Sequence, residues 1–216
     1  MEKNKALERR SYEFEIRAES NDDKEKILTG RPIVYNRKTD LGYFDEVIEQ
    51  GALNGTNLTD VRFLVNHNRE MIPLARSRRN NGNSTMMLTT DNEGMKIDFI
   101  KLDVENNATA RELFSAVERR DIDGMSFMFS IDDEEWEGLE TDHPTRHIKK
   151  IGTVVEVSAV TFPAYEATEI YARNKEALEN ARCALEKAQE EARAKSVDTD
   201  TETNELHLLK AKLNLF

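Results

Sequence analysis

GMSFMFSI, residues 124–131, alternates large apolar side chains with small or flexible ones. Successive side chains of a strand point to opposite sides, so Met125, Phe127, Phe129 and Ile131 share one face and Ser126, Met128 and Ser130 the other. A period of two over eight residues predicts a strand with one face in a core. GTVVEVSAVTF, residues 152–162, is the most apolar run in the chain and reads as a central strand ended by Pro163. Alternation puts Val155, Val157, Ala159 and Thr161 on one face and Val154, Glu156, Ser158 and Val160 on the other.

Working outward, Ala110, Leu113, Phe114 and Val117 recur at helical spacing and predict a helix over 109–120, capped by Thr109 or Asn107. DIDG, residues 121–124, closes it, with Gly124 suited to a left-handed stop. Tyr12, Phe14 and Ile16 alternate with charges, as do Ile97 and Phe99, so both stretches read as half-buried strands. RPIVY (31–35) and GYFDEVI (42–48) add two more, the latter running into a turn at Gln50-Gly51. Residues 132–142 hold seven acidic side chains around Trp136, which predicts a solvated loop or hairpin.

The composition changes near Tyr165. Every Gly and Pro lies in residues 1–165, and residues 166–216 are rich in Ala, Glu, Lys and Leu. We read a globular body over 1–165 and a helical appendage over 166–216. Ile170, Leu178, Ala181, Leu185, Ala188 and Ala192 mark a long helix with a thin Ala-rich stripe, suited to close packing or a coiled coil. A polar linker, 196–204, and a short amphipathic helix, 205–216, follow. The fold class expected is α+β, mainly β.

The 216 residues carry 31 Lys and Arg against 42 Asp and Glu, a net charge of −11, which argues against nucleic-acid binding because that needs a basic footprint. A single cysteine, Cys183, excludes an internal disulfide framework and Cys-cluster metal sites, and in the Ala-rich helix it reads as a small packing residue. The charged start lacks the apolar core of a signal peptide, and no run approaches the ~18–20 apolar residues of a membrane span. A soluble, cytosolic protein is expected, without membrane or nucleic-acid partners.

The residues that can do chemistry are few. His67 ends an apolar strand, VRFLV, at a polar turn; it is either a surface histidine or a general base. Ser126 is either half-buried structure or a nucleophile presented from a strand face; GMSFM lacks the second Gly of a hydrolase elbow. Glu156 is the one ionisable group among residues 154–162, either an ion-paired strand position or a carboxylate that orients an imidazole, with Ser158 beside it as a supporting hydrogen-bonder. His143 and His147 have the i, i+4 spacing of a zincin, but Pro144 and the missing Glu remove the helix that such a site requires, so a solvated loop is expected and no metal. These residues permit a Ser-His-acid hydrolase without establishing one.

Four segments in order, FDEVIEQGAL (44–53), LVNHNREMIPLAR (64–76), GMSFMF (124–129) and EVSAVTFPAY (156–165), resemble the prohead maturation proteases of tailed phages. The resemblance covers roughly residues 10–170. It implies a compact β-barrel flanked by helices, akin to the herpesvirus assemblin proteases. It also implies His67 as general base, Ser126 as nucleophile and Glu156 as the third member, with His143 or His147 as alternatives because assemblins use a second histidine there. Where many relatives carry Gly, this chain has Ala75 and Met128. The oxyanion donor is expected to be a backbone N–H near Ser126, with Arg76 acting through a water as the second choice. No cofactor is implied.

The resemblance further implies a serine endopeptidase, enclosed in the procapsid in the host cytoplasm, that cleaves the scaffolding region of the major capsid protein and itself, with a homodimer as a further expectation. On the same footing, the tail over 166–216 would be scaffold-like. The rival reading is a non-catalytic assembly protein that keeps the protease fold.

Overall fold

The computed structural model describes residues 7–12, 16–20, 25–78, 83–162 and 179–194. Eleven strands and one named helix run in the order β1 (Leu7–Tyr12), β2 (Arg17–Ser20), β3 (Lys26–Val34), β4 (Lys38–Asp40), β5 (Asp45–Ile48), β6 (Asp60–Val65), β7 (Ala75–Arg78), β8 (Met86–Asp91), β9 (Gly94–Lys101), α1 (Ala108–Glu118), β10 (Gly124–Glu137) and β11 (Thr145–Val160). A further helix, α2, covers 179–194. The fold is α+β and mainly β.

β11 organises the larger sheet. Its 16 residues pair antiparallel with β10 along one side. Along the other side they take β5 in parallel at residues 145–148 and β6 in parallel at residues 156–159. β1 pairs with β10, β4 with β5 and β7 with β6, which makes seven strands. The smaller sheet has the order β2-β3-β9-β8. The expected closed barrel does not form among the described residues. A strand long enough to serve two partners in succession branches the sheet, so the ladders do not run round into a ring.

The core lies where the inner faces of the two sheets and α1 meet. Phe63, Phe127, Phe129 and Val157 from one sheet pack with Leu28, Ile33, Met86, Ile97 and Ile100 from the other and with the Ala110, Leu113, Phe114, Val117 stripe of α1. The alternation in β10 places Met125, Phe127 and Phe129 inward as expected. β11 departs from simple alternation. A register shift between Met128 and Phe129 sets Phe129 opposite Val154 while Phe127 faces Val157, so Val154 and Val157 share the core side.

α1 is capped by Asn107, whose side chain accepts from the N–H of Ala110 at 3.1 Å. Its left-handed stop falls on Arg120 (φ 63°), and Gly124 instead opens β10. The acid-rich stretch is a hairpin arm. Glu134 pairs with Arg146 and Glu135 with Lys149, so cations across the ladder relieve the repulsion, and Glu137 bonds to His147. Phe44 and Trp136 meet edge to face at 4.8 Å, and Ala181 and Leu185 of α2 pack there with Leu41. Cys183 is exposed on α2 and not packed. The expected helix over 205–216 and the linker before it lie outside the described residues.

Phe127 is fully buried near the start of β10, and Met87 is 47% exposed on β8. Phe127→Ala is expected to cost about 3–5 kcal/mol of unfolding free energy. Met87→Ala is expected to stay within about 0.5 kcal/mol, both read from urea unfolding.

Candidate active site

The strand register assembles the site. β10, β11 and β6 lie side by side with Ser126 opposite Ser158 and Ser158 opposite Leu64. One step along, Met128 faces Glu156, and Glu156 faces Arg62. Paired residues share a side of the sheet, so Ser126, Ser158 and Glu156 stand together on the face opposite the core. β6 then runs out into the turn that holds Asn66 and His67, both left-handed (φ 51° and 57°).

Asn66 ties this turn to the end of β11. Its N–H donates to the carbonyl of Ala159 at 2.9 Å, its side-chain amide donates to Thr161 Oγ1 at 3.0 Å, and it accepts from the N–H of Thr161 at 2.9 Å. The N–H of His67 donates to Ser158 Oγ at 3.2 Å. These bonds bring the imidazole over the serine face.

The ring then links two groups. Nδ1 bonds to Glu156 Oε1, and Nε2 lies 2.6 Å from Ser126 Oγ. The other carboxylate oxygen, Oε2, accepts from Ser158 Oγ at 2.6 Å. Ser126 and Ser158 are fully buried, Glu156 is 1% exposed and the His67 side chain 12%. A carboxylate in such a place needs partners on both oxygens, and it has them. With Glu156 accepting from Nδ1–H, Nε2 is left as an acceptor aimed at a hydroxyl. That constellation can take a proton from Ser126 and stabilise the resulting imidazolium.

The structure thus brings together three of the residues singled out in the sequence. It leaves the other two histidines elsewhere. His143 faces Asp45 at 3.3 Å and Asp40 at 3.7 Å, and Asp45 already pairs with Lys38. His147 lies on β11, where a loop was expected, between Glu49 at 3.0 Å and Glu137 at 3.3 Å. Neither contacts His67, and the two do not share a ligand position. The Arg76 guanidinium is gripped through two bonds by Asp60, with Nη2 to Oδ2 at 2.7 Å.

One contact has no counterpart in the sequence reading. The main-chain oxygen of Arg10 lies 2.8 Å from Ser126 Oγ and is a second acceptor for its one proton. The Arg10 side chain lies on the core side, where it belongs to a buried ion cluster with Glu8, Glu46 and Arg146. Burial alone would raise the carboxyl of Glu8, but the guanidiniums of Arg10 and Arg146 outweigh it and hold Glu8 below the ordinary carboxylate range.

A family model for the caudovirus prohead serine proteases matches residues 12–182 of the 216, a span that includes His67, Ser126 and Glu156. The chain belongs to that family. Searches of curated proteins and of solved structures found no match.

The depressed pKa of Glu8 makes a prediction of fixed sign. A carboxylate favoured in the folded state stabilises it above the unfolded value, near 4.5 for Glu, and that contribution fades as pH falls below it. Glu8→Gln is expected to cost about 2 kcal/mol at pH 7. The gap between variant and wild type in urea unfolding should narrow steadily below about pH 4.5. A gap unchanged down to pH 3 would contradict this account of the cluster.

Proposed function

We propose that this member of the prohead protease family is an active serine endopeptidase with Ser126 as nucleophile, His67 as general base and Glu156 as the carboxylate that orients and stabilises the imidazole. The observation that carries the reading is the continuous hydrogen-bond relay from Glu156 through His67 to Ser126 on the non-core face of the sheet. His67 Nε2 takes the Ser126 proton as Oγ attacks a peptide carbonyl. The imidazolium then returns that proton to the leaving amine, and an acyl-serine remains. Water, deprotonated by His67, releases the acyl group. Ser158 acts behind this, holding the second oxygen of Glu156 and the main chain of His67.

The substrates we propose are the scaffolding region of the major capsid protein and the chain itself, with the enzyme enclosed in the procapsid of the infected host cell. Among the described residues no helix is long and apolar enough to cross a membrane. Residues 1–165 form the protease domain in this reading, and 166–216 a scaffold-like tail that pairs with the capsid protein's scaffolding helices or with a second copy. A homodimer and a kinship with the herpesvirus assemblins belong to the same proposal. The kinship rests on the order of the motifs and not on closure of the sheets.

Co-expression of wild type with the capsid and scaffold proteins is expected to give trimmed scaffold and a shortened protease. Ser126→Ala and His67→Ala should leave both full length, a loss of about 10³-fold or more, while remaining folded. Cleavage that persists in Ser126→Ala would overturn the nucleophile. Intact scaffold beside folded wild type would favour the non-catalytic assembly role. Co-assembly of a chain lacking residues 166–216 tests the tail, and unchanged incorporation would remove it as a packaging signal.

A further inference from the structure

Ser126 Oγ is held from two sides, by Nε2 of His67 at 2.6 Å and by the main-chain oxygen of Arg10 at 2.8 Å. A hydroxyl carries one hydrogen, so the two acceptors compete for the proton, yet both fix where the oxygen stands. The carbonyl belongs to β1, a six-residue strand at the end of the sheet order. A short edge strand does not by itself fix a carbonyl to the tolerance that catalytic geometry needs.

The side chain of the same residue supplies the anchor. Arg10 pairs in register with Phe127, so its guanidinium leaves the sheet on the core side, 5.7 Å over the ring of Phe129. There Nε and Nη2 grip the two oxygens of Glu46, the Nη2 bond at 2.6 Å, in a fork that fixes orientation as well as distance. Arg10 is 5% exposed and Glu46 1%, and Glu46 stands on β5, three strands away from β1 across β10 and β11. Arg146 stiffens the cluster, reaching Glu46 at 3.4 Å and Glu8 at 2.9 Å. Glu134 contacts Arg146 on the outer side of this cluster.

We infer that Arg10 is a positioning residue for the nucleophile: Glu46 clamps its guanidinium from the core side, and this holds the Arg10 carbonyl where it fixes Ser126 Oγ within reach of His67. The inference rests on the catalytic reading of Ser126. Loosening the clamp lets β1 shift, and a displacement of even a fraction of an ångström at Oγ lowers its reactivity without altering how a ligand binds.

The test is the rate at which a fluorophosphonate modifies Ser126 in the full-length protein, with Ser126→Ala as the blank. Glu46→Gln keeps the shape of the clamp and removes its charge. It is expected to lower the maximal labelling rate about tenfold or more while the half-saturating probe concentration stays put. Arg10→Lys, which keeps the charge and loses the fork, should do the same and provides a second readout if Glu46→Gln folds poorly. Glu134→Gln weakens the cluster at Arg146 without touching Arg10 and should label like wild type. Equal labelling of Glu46→Gln and wild type, or slowing of Glu134→Gln in step with its lost stability, would overturn the positioning role. Failure of wild type to label at Ser126 would overturn the nucleophile assignment, and the inference with it.

Discussion

The structure depends on the register between β10 and β11. Setting Ser126 opposite Ser158 fixes at one stroke which side chains enter the core and which form the polar face. A slip by one residue would send Phe127 outward and Ser126 into the apolar interior, so the core's demand for Phe127, Phe129 and Val157 also holds the serine face in place. The length of β11 matters as much. Because it outruns each of the two short strands on its other edge, it can hold β5 near its start and β6 near its end, and β6 delivers the turn with His67. Branching of the sheet and assembly of the site follow from the same long strand.

Two polar systems are buried on opposite sides of this sheet. On one side Glu156 is satisfied by the His67 ring and the Ser158 hydroxyl. On the other, Arg10, Glu46, Arg146 and Glu8 satisfy one another. Each group would be costly to bury alone, and the groups are paired, partly with a neighbour two residues away and partly across strands distant in the chain. β1 meets both systems, its carbonyl turned to Ser126 and its guanidinium to Glu46.

Much of this was legible in the sequence where local alternation decides the outcome. The inward set of β10, the stripe of α1 and the polar identity of Ser126, Glu156 and Ser158 all follow from periods of two and 3.6. The serine and the carboxylate could be placed on faces because each interrupts an apolar pattern. What alternation could not show is where it breaks. Val154 joins the core through an irregularity that no residue type announces. The contribution of Arg10 is made by a main-chain atom, and every residue but proline carries the same main-chain groups, so composition is silent about it. The expected barrel does not close among the described residues, because closure depends on which edges meet, a long-range property of pairing order. Pro144 argues against a helix around His147 and so points to a loop, yet a strand begins directly after that proline.

Placement of the imidazole shows how a local cost is tied to function. Along β6, Phe63 and Val65 pack with the core and Leu64 lies in register with Ser158 on the other face. Continued alternation would turn residue 67 toward the core, away from Ser126. Two successive left-handed residues, Asn66 and His67, reverse that direction. For side chains other than glycine each costs on the order of 1 kcal/mol, with asparagine the more tolerant of the two. The cost is offset where it arises: Asn66 makes three bonds to the end of β11, and the His67 N–H is taken by Ser158. Ser158 also holds Glu156, so the bond that fixes the strained turn and the bond that fixes the carboxylate meet on one hydroxyl. A nucleophile on a rigid strand with its base on a turn pinned at both ends gives a site in which ring and hydroxyl are set by the sheet and not by loop closure.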